Sequence, residues 1–379
     1  MGKKSCMPTP RPLLWHCAPH TRAKHELLRR YLEAWFPILL QGPRARECVT
    51  YVEGFAGPGI YEAGEPGSPI VALQVFLRQR RLLDAGKKTN VVLIEERADR
   101  LQRLQKEIND ATAPYGNVPD GMRIEYRNDR CADALLSALH AVGAMKTPIF
   151  AFLDSWGGPD IPLDVARAIA SAPSSEVLVT FGTRFLMQFG KAEAHQASGD
   201  QAFGGPSWRK VWDLPSSKKK SFLVSTYRES LKAAGFRYVL SFEMLGDGGH
   251  DLHLVYGTTN PLGLQKMKEA MWKVDPIRGV NYRDPRDPDQ LSLELSFDPD
   301  TGPLRRAILE ELSKGERTLA QLRDFTLLET VYRPPQATIV VKDLLGRGLV
   351  EREPARGQLS SDKVIRLAPK KPPETEPLF

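Results

Sequence analysis

Arg237-Tyr-Val-Leu-Ser-Phe-Glu-Met-Leu245, Gly246-Asp-Gly-Gly249 and His250-Asp-Leu-His-Leu-Val-Tyr256 decide how the fold is read. Two strand-length apolar runs flank a glycine-rich turn, the pattern of an antiparallel hairpin. Upstream of it, strands and helices alternate. An amphipathic helix is predicted over Thr21 to Leu40, with Leu27, Leu28, Tyr31, Trp35, Ile38 and Leu39 at three- and four-residue spacing. Strands are predicted at Cys48–Glu53, Asn90–Glu95, Met122–Arg127, Pro148–Asp154 and Glu176–Gly182, and a helix around Phe222–Ala234. The fourth run is apolar on both faces, as a central parallel strand is. This rhythm predicts an α/β fold with a parallel sheet, to which the hairpin adds the last strands.

Gly54-Phe-Ala-Gly-Pro-Gly59 follows the first strand. Glycines there let the main chain turn sharply and approach a ligand closely. A dinucleotide loop feeds directly into a helix whose N-terminus holds the pyrophosphate. Here the next helix opens only at Ser68-Pro69, so the loop suits a nucleoside cofactor without a pyrophosphate. Four carboxylates, Glu53, Glu95, Asp129 and Asp154, stand at or just after successive strand ends, where open α/β sheets bind ligands. Glu95 is placed to accept both ribose hydroxyls, and Asp129 to meet an adenine amino group. Asp154 faces the position of a methyl acceptor. Dinucleotide domains close with further βαβ units, whereas a methyltransferase sheet closes with a hairpin whose last strand runs against the rest. Loop and hairpin together point to a Rossmann-like class I methyltransferase sheet and to S-adenosylmethionine. The candidate cofactor residues are Lys24, His25, Glu53, Gly54, Phe55, Ala56, Gly57, Gly59, Glu95 and Asp129.

Composition sets the frame. The 379 residues are 41% hydrophobic and 26% charged, a globular balance with enough length for two domains. No apolar run reaches the ~18 residues that cross a bilayer, so no membrane is expected. The polar, proline-broken start does not read as a secretory apolar segment, and a cytoplasmic location is expected. Cys6, Cys17, Cys48 and Cys131 have no Cys-x-x-Cys spacing, and His250 and His253 fall on opposite faces of a strand, so no metal is expected. Lys plus Arg outnumber Asp plus Glu by 53 to 46, a net charge of +7 that is compatible with nucleic acid as partner.

Residues 1–14 read as a flexible arm and 15–275 as the Rossmann-like domain. Residues 276–302, rich in Pro, Asp, Arg and Gly, read as a linker. Beyond it, helices are predicted at Leu304–Ser313, Thr318–Phe325 and Gln336–Arg347, then strands at Leu349–Arg352 and Val364–Leu367. That order, over 303–368, is that of a winged helix-turn-helix. Lys342, Arg347 and Arg352 are its candidate phosphate contacts; Lys218-Lys-Lys220 reads as a loop charge run. A proline-rich tail, 369–379, follows.

The chain resembles the three-Cys-motif partner protein family (TcmP). The resemblance runs through Lys24-His25, Tyr31-Leu-Glu-Ala-Trp35, Glu53-Gly-Phe-Ala-Gly-Pro-Gly59, Gly67-Ser-Pro69, Phe152-Leu-Asp-Ser-Trp-Gly157 and Met267-Lys-Glu-Ala-Met-Trp-Lys-Val-Asp275, covering about residues 15–350. It implies a methyltransferase-like protein with a partner, encoded nearby, that carries three cysteines. The family usually has Asp where Glu53 stands and Asp-Pro-Phe-Gly where Asp154-Ser-Trp-Gly157 stands. Amino-group DNA methyltransferases use a polar residue to accept from the target NH2 and an aromatic ring to stack on the extruded base. Asp154 and Trp156 are the candidates for those roles, Asp154 orienting or deprotonating the acceptor. The alternative has Asp154 capping the turn and Trp156 in the core. Lys24 and His25 either cover the cofactor or form a solvated helix face. Two functions compete: a methyltransferase acting on or near nucleic acid, and a non-catalytic DNA-binding partner protein that retains a cofactor pocket. A nicotinamide oxidoreductase is disfavoured by the hairpin and the delayed helix.

Overall fold

The computed structural model describes residues 12–155, 158, 160–246, 250–276, 281–282 and 299–369. They form two compact units, the first holding residues 12–275 and 281–282 and the second 276 and 299–369. In the first, strands β1 (Cys48–Glu53), β2 (Lys88–Ile94), β3 (Met122–Arg127), β4 (Ile149–Leu153), β5 (Glu176–Gly182), β6 (Tyr238–Gly246), β7 (His250–Thr258) and β8 (Asn281–Tyr282) make one sheet. Its order is β3-β2-β1-β4-β5-β7-β6-β8. Strands β1 to β5 are parallel. Strand β7 is antiparallel to both β5 and β6. The hairpin that closes the sheet is thus present; residues 247–249 of its glycine turn lie outside the described residues.

Helices cover both faces. In chain order they are α1 (Pro19–Gln41), α2 (Ser68–Arg78), α3 (Arg80–Asp84), α4 (Ala98–Thr112), α5 (Cys131–Ala141), α6 (Leu163–Ser171), α7 (Thr183–Phe189), α8 (Glu193–Phe203), α9 (Ser216–Ala233) and α10 (Pro261–Val274). The period-2 alternation of each strand sorts the core into two layers. Tyr51, Phe150, Phe152, Leu178 and Tyr256 face α1, α2 and α10. Val52, Ile149, Ala151, Leu153 and Val177 face α5, α6 and α9. The same alternation carries Glu53, Asp154 and Glu176 to the α1 side, and everything at the site follows from this.

Several boundaries differ from the sequence reading. Lys218-Lys-Lys220, expected in a loop, lies in the first turns of α9, because Pro215 starts the helix there; Lys218 is exposed and Lys220 pairs with Glu243. Of the arm expected over residues 1–14, Pro12 is tied down: its carbonyl accepts from Arg100 Nη2 at 3.0 Å. Within the linker expected over 276–302, Asn281–Tyr282 pairs in parallel with β6.

The second unit contains α11 (Gly302–Ser313), β9 (Arg317–Thr318), α12 (Leu319–Glu329), α13 (Pro334–Gly346), β10 (Val350–Glu353) and β11 (Val364–Leu367). Three helices close over Leu304, Ile308, Leu322, Val340, Val341 and Leu344. Strand β9, which the sequence reading lacked, makes the small antiparallel sheet three-stranded, in the order β10-β11-β9. Two residues carry too little periodicity to be recognised. Thr318 ends that strand and caps α12 in a capping box with Gln321.

A buried polar node holds α1 to the sheet. Tyr31 donates to Glu176 Oε2 at 2.5 Å and lies 2.8 Å from the Tyr256 hydroxyl. Thr258 donates to Glu176 Oε1 at 3.1 Å. The first turn of α10 comes so close that a β-carbon at Gly263 would run into Glu176 Oε1. Burial pushes the Glu176 carboxyl up to about 7 from 4.5. A carboxyl raised in this way binds its proton more tightly folded than unfolded, so its contribution is complete below about pH 4.5 and is lost as pH rises to about 7. At about 1.4 kcal/mol per pKa unit the loss is on the order of 3 kcal/mol. Urea denaturation of Glu176→Gln across pH 5 to 8 is expected to show a flatter stability profile than the wild type. An unchanged slope would contradict the assignment.

Candidate functional site

A cleft opens where the carboxyl ends of β1, β2, β3 and β4 meet the N-terminal part of α1. Gly54, Phe55, Ala56, Gly57 and Gly59 line it, together with Glu95, Asp129 and Asp154. Strand direction explains the gathering, since parallel neighbours end on the same edge of the sheet. Gly57 and Gly59 take φ of +63° and +79°, the left-handed region that glycine adopts without a Cβ penalty. At Gly54 the need is for space: a β-carbon would run into Cys131 Sγ and sit 2.9 Å from Leu153 Cδ2.

Glu95 fastens the glycine loop. Its Oε2 accepts from the Gly57 N–H at 2.9 Å and its Oε1 from the Arg97 N–H at 3.0 Å. Each oxygen keeps a second lone pair for a ligand donor. Burial raises its pKa, against the pull of those two N–H bonds. Asp129 accepts from the Arg130 N–H at 2.8 Å and is exposed on the cleft wall. Asn128 donates to the Glu95 and Glu96 carbonyls at 2.9 and 3.0 Å, joining the ends of β2 and β3.

Asp154 is not left to the cleft. Its Oδ2 pairs with Lys24 Nζ, and their side chains are 21% and 9% exposed. Burial alone would raise this carboxyl, but the Lys24 ammonium and its hydrogen bond outweigh burial and hold it below its ordinary value. Asp154 is therefore a weak base and a strong hydrogen-bond acceptor. The ammonium two turns before Tyr31 stabilises the charged form, which favours the orienting role over the deprotonating one. Trp156, the proposed stacking ring, lies outside the described residues.

Two sequence candidates stand behind the wall. Glu53 is 1% exposed and does not line the cleft. It accepts from Tyr51 and, at 2.8 Å, from Ser68. Burial pushes it up to about 8, with the Asp154 charge adding to the rise. It braces the first residue of α2. His25 is 8% exposed, does not line the cleft and lies 5.7 Å from the Tyr61 ring. Burial and the neighbouring Lys24 charge depress its pKa to about 3, so it is neutral at pH 7. Neither Lys24 nor His25 forms the solvated face allowed for in the sequence, because that face of α1 is turned to the sheet.

The sequence reading missed Trp15 and Arg100, which also line the cleft. The Arg100 guanidinium carbon lies 4.7 Å from the Trp15 ring centroid. Arg100 interrupts the buried, apolar face of α4, in line with Leu104 and Ile108, and that was the available signal.

In the second unit Lys342 is exposed on α13, two residues past the buried Val340. Ile339, 60% exposed, stands one turn before it. Arg347 donates to Asp343 at 2.8 Å and Arg352 to the Ala355 carbonyl at 3.0 Å, so both guanidinium groups are engaged within the unit.

No protein-family profile and no curated protein matches the chain. Among solved structures, EvdMO1 is 12% identical over 64% of this chain and 42% of its own, with a TM-score of 0.33. A mutant of the 16S rRNA (adenine(1408)-N(1))-methyltransferase from Catenulisporales acidiphilia is 15% identical over 56% of this chain and 86% of its own, TM-score 0.30. A spermidine synthase in complex with the transition-state analogue AdoDATO is 10% identical over 77% and 76%, TM-score 0.32. The chain thus spans less than half of EvdMO1. Likenesses this distant bear no weight; strand order and side chains carry the reading of the site.

Lys24→Met is expected to lose about 3 kcal/mol at pH 7, because it leaves a buried carboxylate unpaired. The Asp154 carboxyl, followed by carbon-13 NMR, is expected to rise above its wild-type pKa. Adding Asp154→Asn is expected to recover part of the loss, and an additive double-mutant cycle would contradict the coupling. Gly54→Ala is expected to lower stability by about 1–3 kcal/mol. Thermal melts should show the loss reduced in a Cys131→Ala background.

Proposed function

We propose that the first unit binds S-adenosylmethionine and is a class I methyltransferase-like domain. The observation that carries this reading is the conjunction of a glycine loop with Glu95, Asp129 and Asp154 in one cleft, on a sheet ordered β3-β2-β1-β4-β5-β7-β6. The free lone pairs of Glu95 suit the ribose hydroxyls, and Asp129 suits the adenine amino group. The loop amides and Lys24 lie on the amino-acid and methyl side. No pyrophosphate seat is offered, since α2 starts nine residues after Gly59. At the acceptor end Asp154, charged and held by Lys24, takes a hydrogen bond from an amino group and orients it for in-line transfer.

The acceptor proposed is nucleic acid or something bound to it. The order of α11, α12, α13, β10 and β11 supports a winged helix-turn-helix, with exposed Lys342 as the phosphate contact best placed to act. A partner protein carrying three cysteines remains part of this reading through the resemblance in Lys24-His25 and Glu53–Gly59. The Lys24–Asp154 pair favours one second reading: a non-catalytic DNA-binding protein whose pocket binds the cofactor while its acceptor carboxylate stays occupied.

Thermal unfolding with S-adenosylmethionine, S-adenosylhomocysteine and NAD separates these. Stabilisation by the first two and not by NAD is expected; stabilisation by NAD alone overturns the cofactor assignment. Tritiated methyl transfer to DNA or RNA is then expected, with Asp154→Asn slowing it on the order of 100-fold, the cost of a mispositioned acceptor. Cofactor binding with no transfer to DNA, RNA or protein leaves the non-catalytic reading.

A further inference from the structure

The segment before α1 contributes a wall to the cleft that is foreign to the sheet. A β-carbon built at Gly57 would lie 3.6 Å from Trp15 Cη2, so the indole rests against the glycine loop. Two bonds hold the segment there: Arg100 Nη2 to the Pro12 carbonyl at 3.0 Å, and the Glu62 N–H to the Trp15 carbonyl at 3.1 Å. Two side chains fix the ring itself. Arg100 lies over it, and Tyr61 meets it edge-on, with centroids 5.6 Å apart and planes at 85°. Arg100 is 2% exposed, so its guanidinium is a rigid support and not a solvated charge. Trp15 is only half-buried and lines the same cleft as Glu95 and Asp129.

A flat ring, partly exposed, held rigid and lining one cleft with hydrogen-bond acceptors suited to ribose and an exocyclic amine, is built to take a planar base. We propose that Trp15, positioned by Arg100, stacks on the adenine ring of the cofactor and sets the preference for an adenosyl group. This rests on the reading of the cleft as an adenosyl-cofactor site. Trp15 is a binding residue; Arg100 is a positioning residue that acts through it.

The test is calorimetric titration of S-adenosylhomocysteine into the full chain and into Trp15→Phe, Trp15→Leu and Trp15→Ala, with melting temperatures recorded for each. Trp15→Phe keeps an aromatic face and is expected to bind within about 3-fold of wild type, whereas Leu and Ala are expected to weaken binding about 10- to 100-fold, the range for loss of one base–aromatic stack. Ligand-induced quenching of tryptophan emission is expected to fall in Trp15→Phe. Arg100→Ala is expected to weaken binding less than Trp15→Ala does, and to add little in the double variant. Trp15→Leu keeps an apolar side chain in the segment, so it separates stacking from simple packing. Wild-type-like affinity in a folded Trp15→Leu overturns the stacking role while leaving the cofactor assignment intact. Failure of the wild type to bind S-adenosylhomocysteine or adenosine overturns both.

Discussion

Helix α1 is fastened across the sheet at two polar points, and the candidate site depends on that fastening. Lys24 and Tyr31 are seven residues apart, hence on one face of the helix. Lys24 reaches Asp154 at the carboxyl end of β4, while Tyr31 reaches Glu176 at the start of β5. Between and beyond them the helix buries Leu27, Leu28, Leu32, Trp35 and Phe36. The apolar stripe supplies adhesion without direction; the two polar bonds set where along the sheet the helix lies. That placement is what makes α1 a wall of the cleft.

The cleft manages its charges unevenly. Of the two acidic groups nearest Lys24, Asp154 is stabilised as the anion and Glu53 as the neutral acid. His25 is kept neutral. One ammonium in a dry region can support one carboxylate well, and desolvation drives its neighbours to their uncharged forms. The result is a single formal anion at the acceptor end, with hydroxyls from Tyr51 and Ser68 completing Glu53 behind it.

The sheet was legible because its signals are local. Alternation, glycine spacing and the hairpin turn each lie within a few residues, and from them the strand ends carrying Glu95, Asp129 and Asp154 could be placed. What the sequence concealed is pairwise and distant. Lys24 and Asp154 are 130 positions apart, and nothing in either neighbourhood names the other. Glu53 looked like a ligand because it ends a strand; its partner Ser68 arrives from α2, beside Tyr51 of its own strand. Trp15 fell at the edge of a proline-broken start, and Arg100 looked like one more charge on a helix. The lysine run at 218–220 was misplaced because composition marks solvent exposure, not backbone conformation.

The delay between Gly59 and Ser68 has a consequence for how such a protein tolerates change. The excursion is closed at its base: the Gly67 N–H bonds to the Gly59 carbonyl at 2.7 Å, and Ile60 and Pro66 bridge. Glu62, Ala63 and Gly64 at its tip are exposed. A clasped base insulates the glycine loop and α2 from the tip, and lengthening such a loop costs only logarithmically in closure entropy. The tip beyond Glu62, whose N–H still holds the Trp15 carbonyl, is therefore a graft point: foreign sequence inserted between Ala63 and Gly64 would sit at the rim of the cleft and leave the register of the loop beneath it.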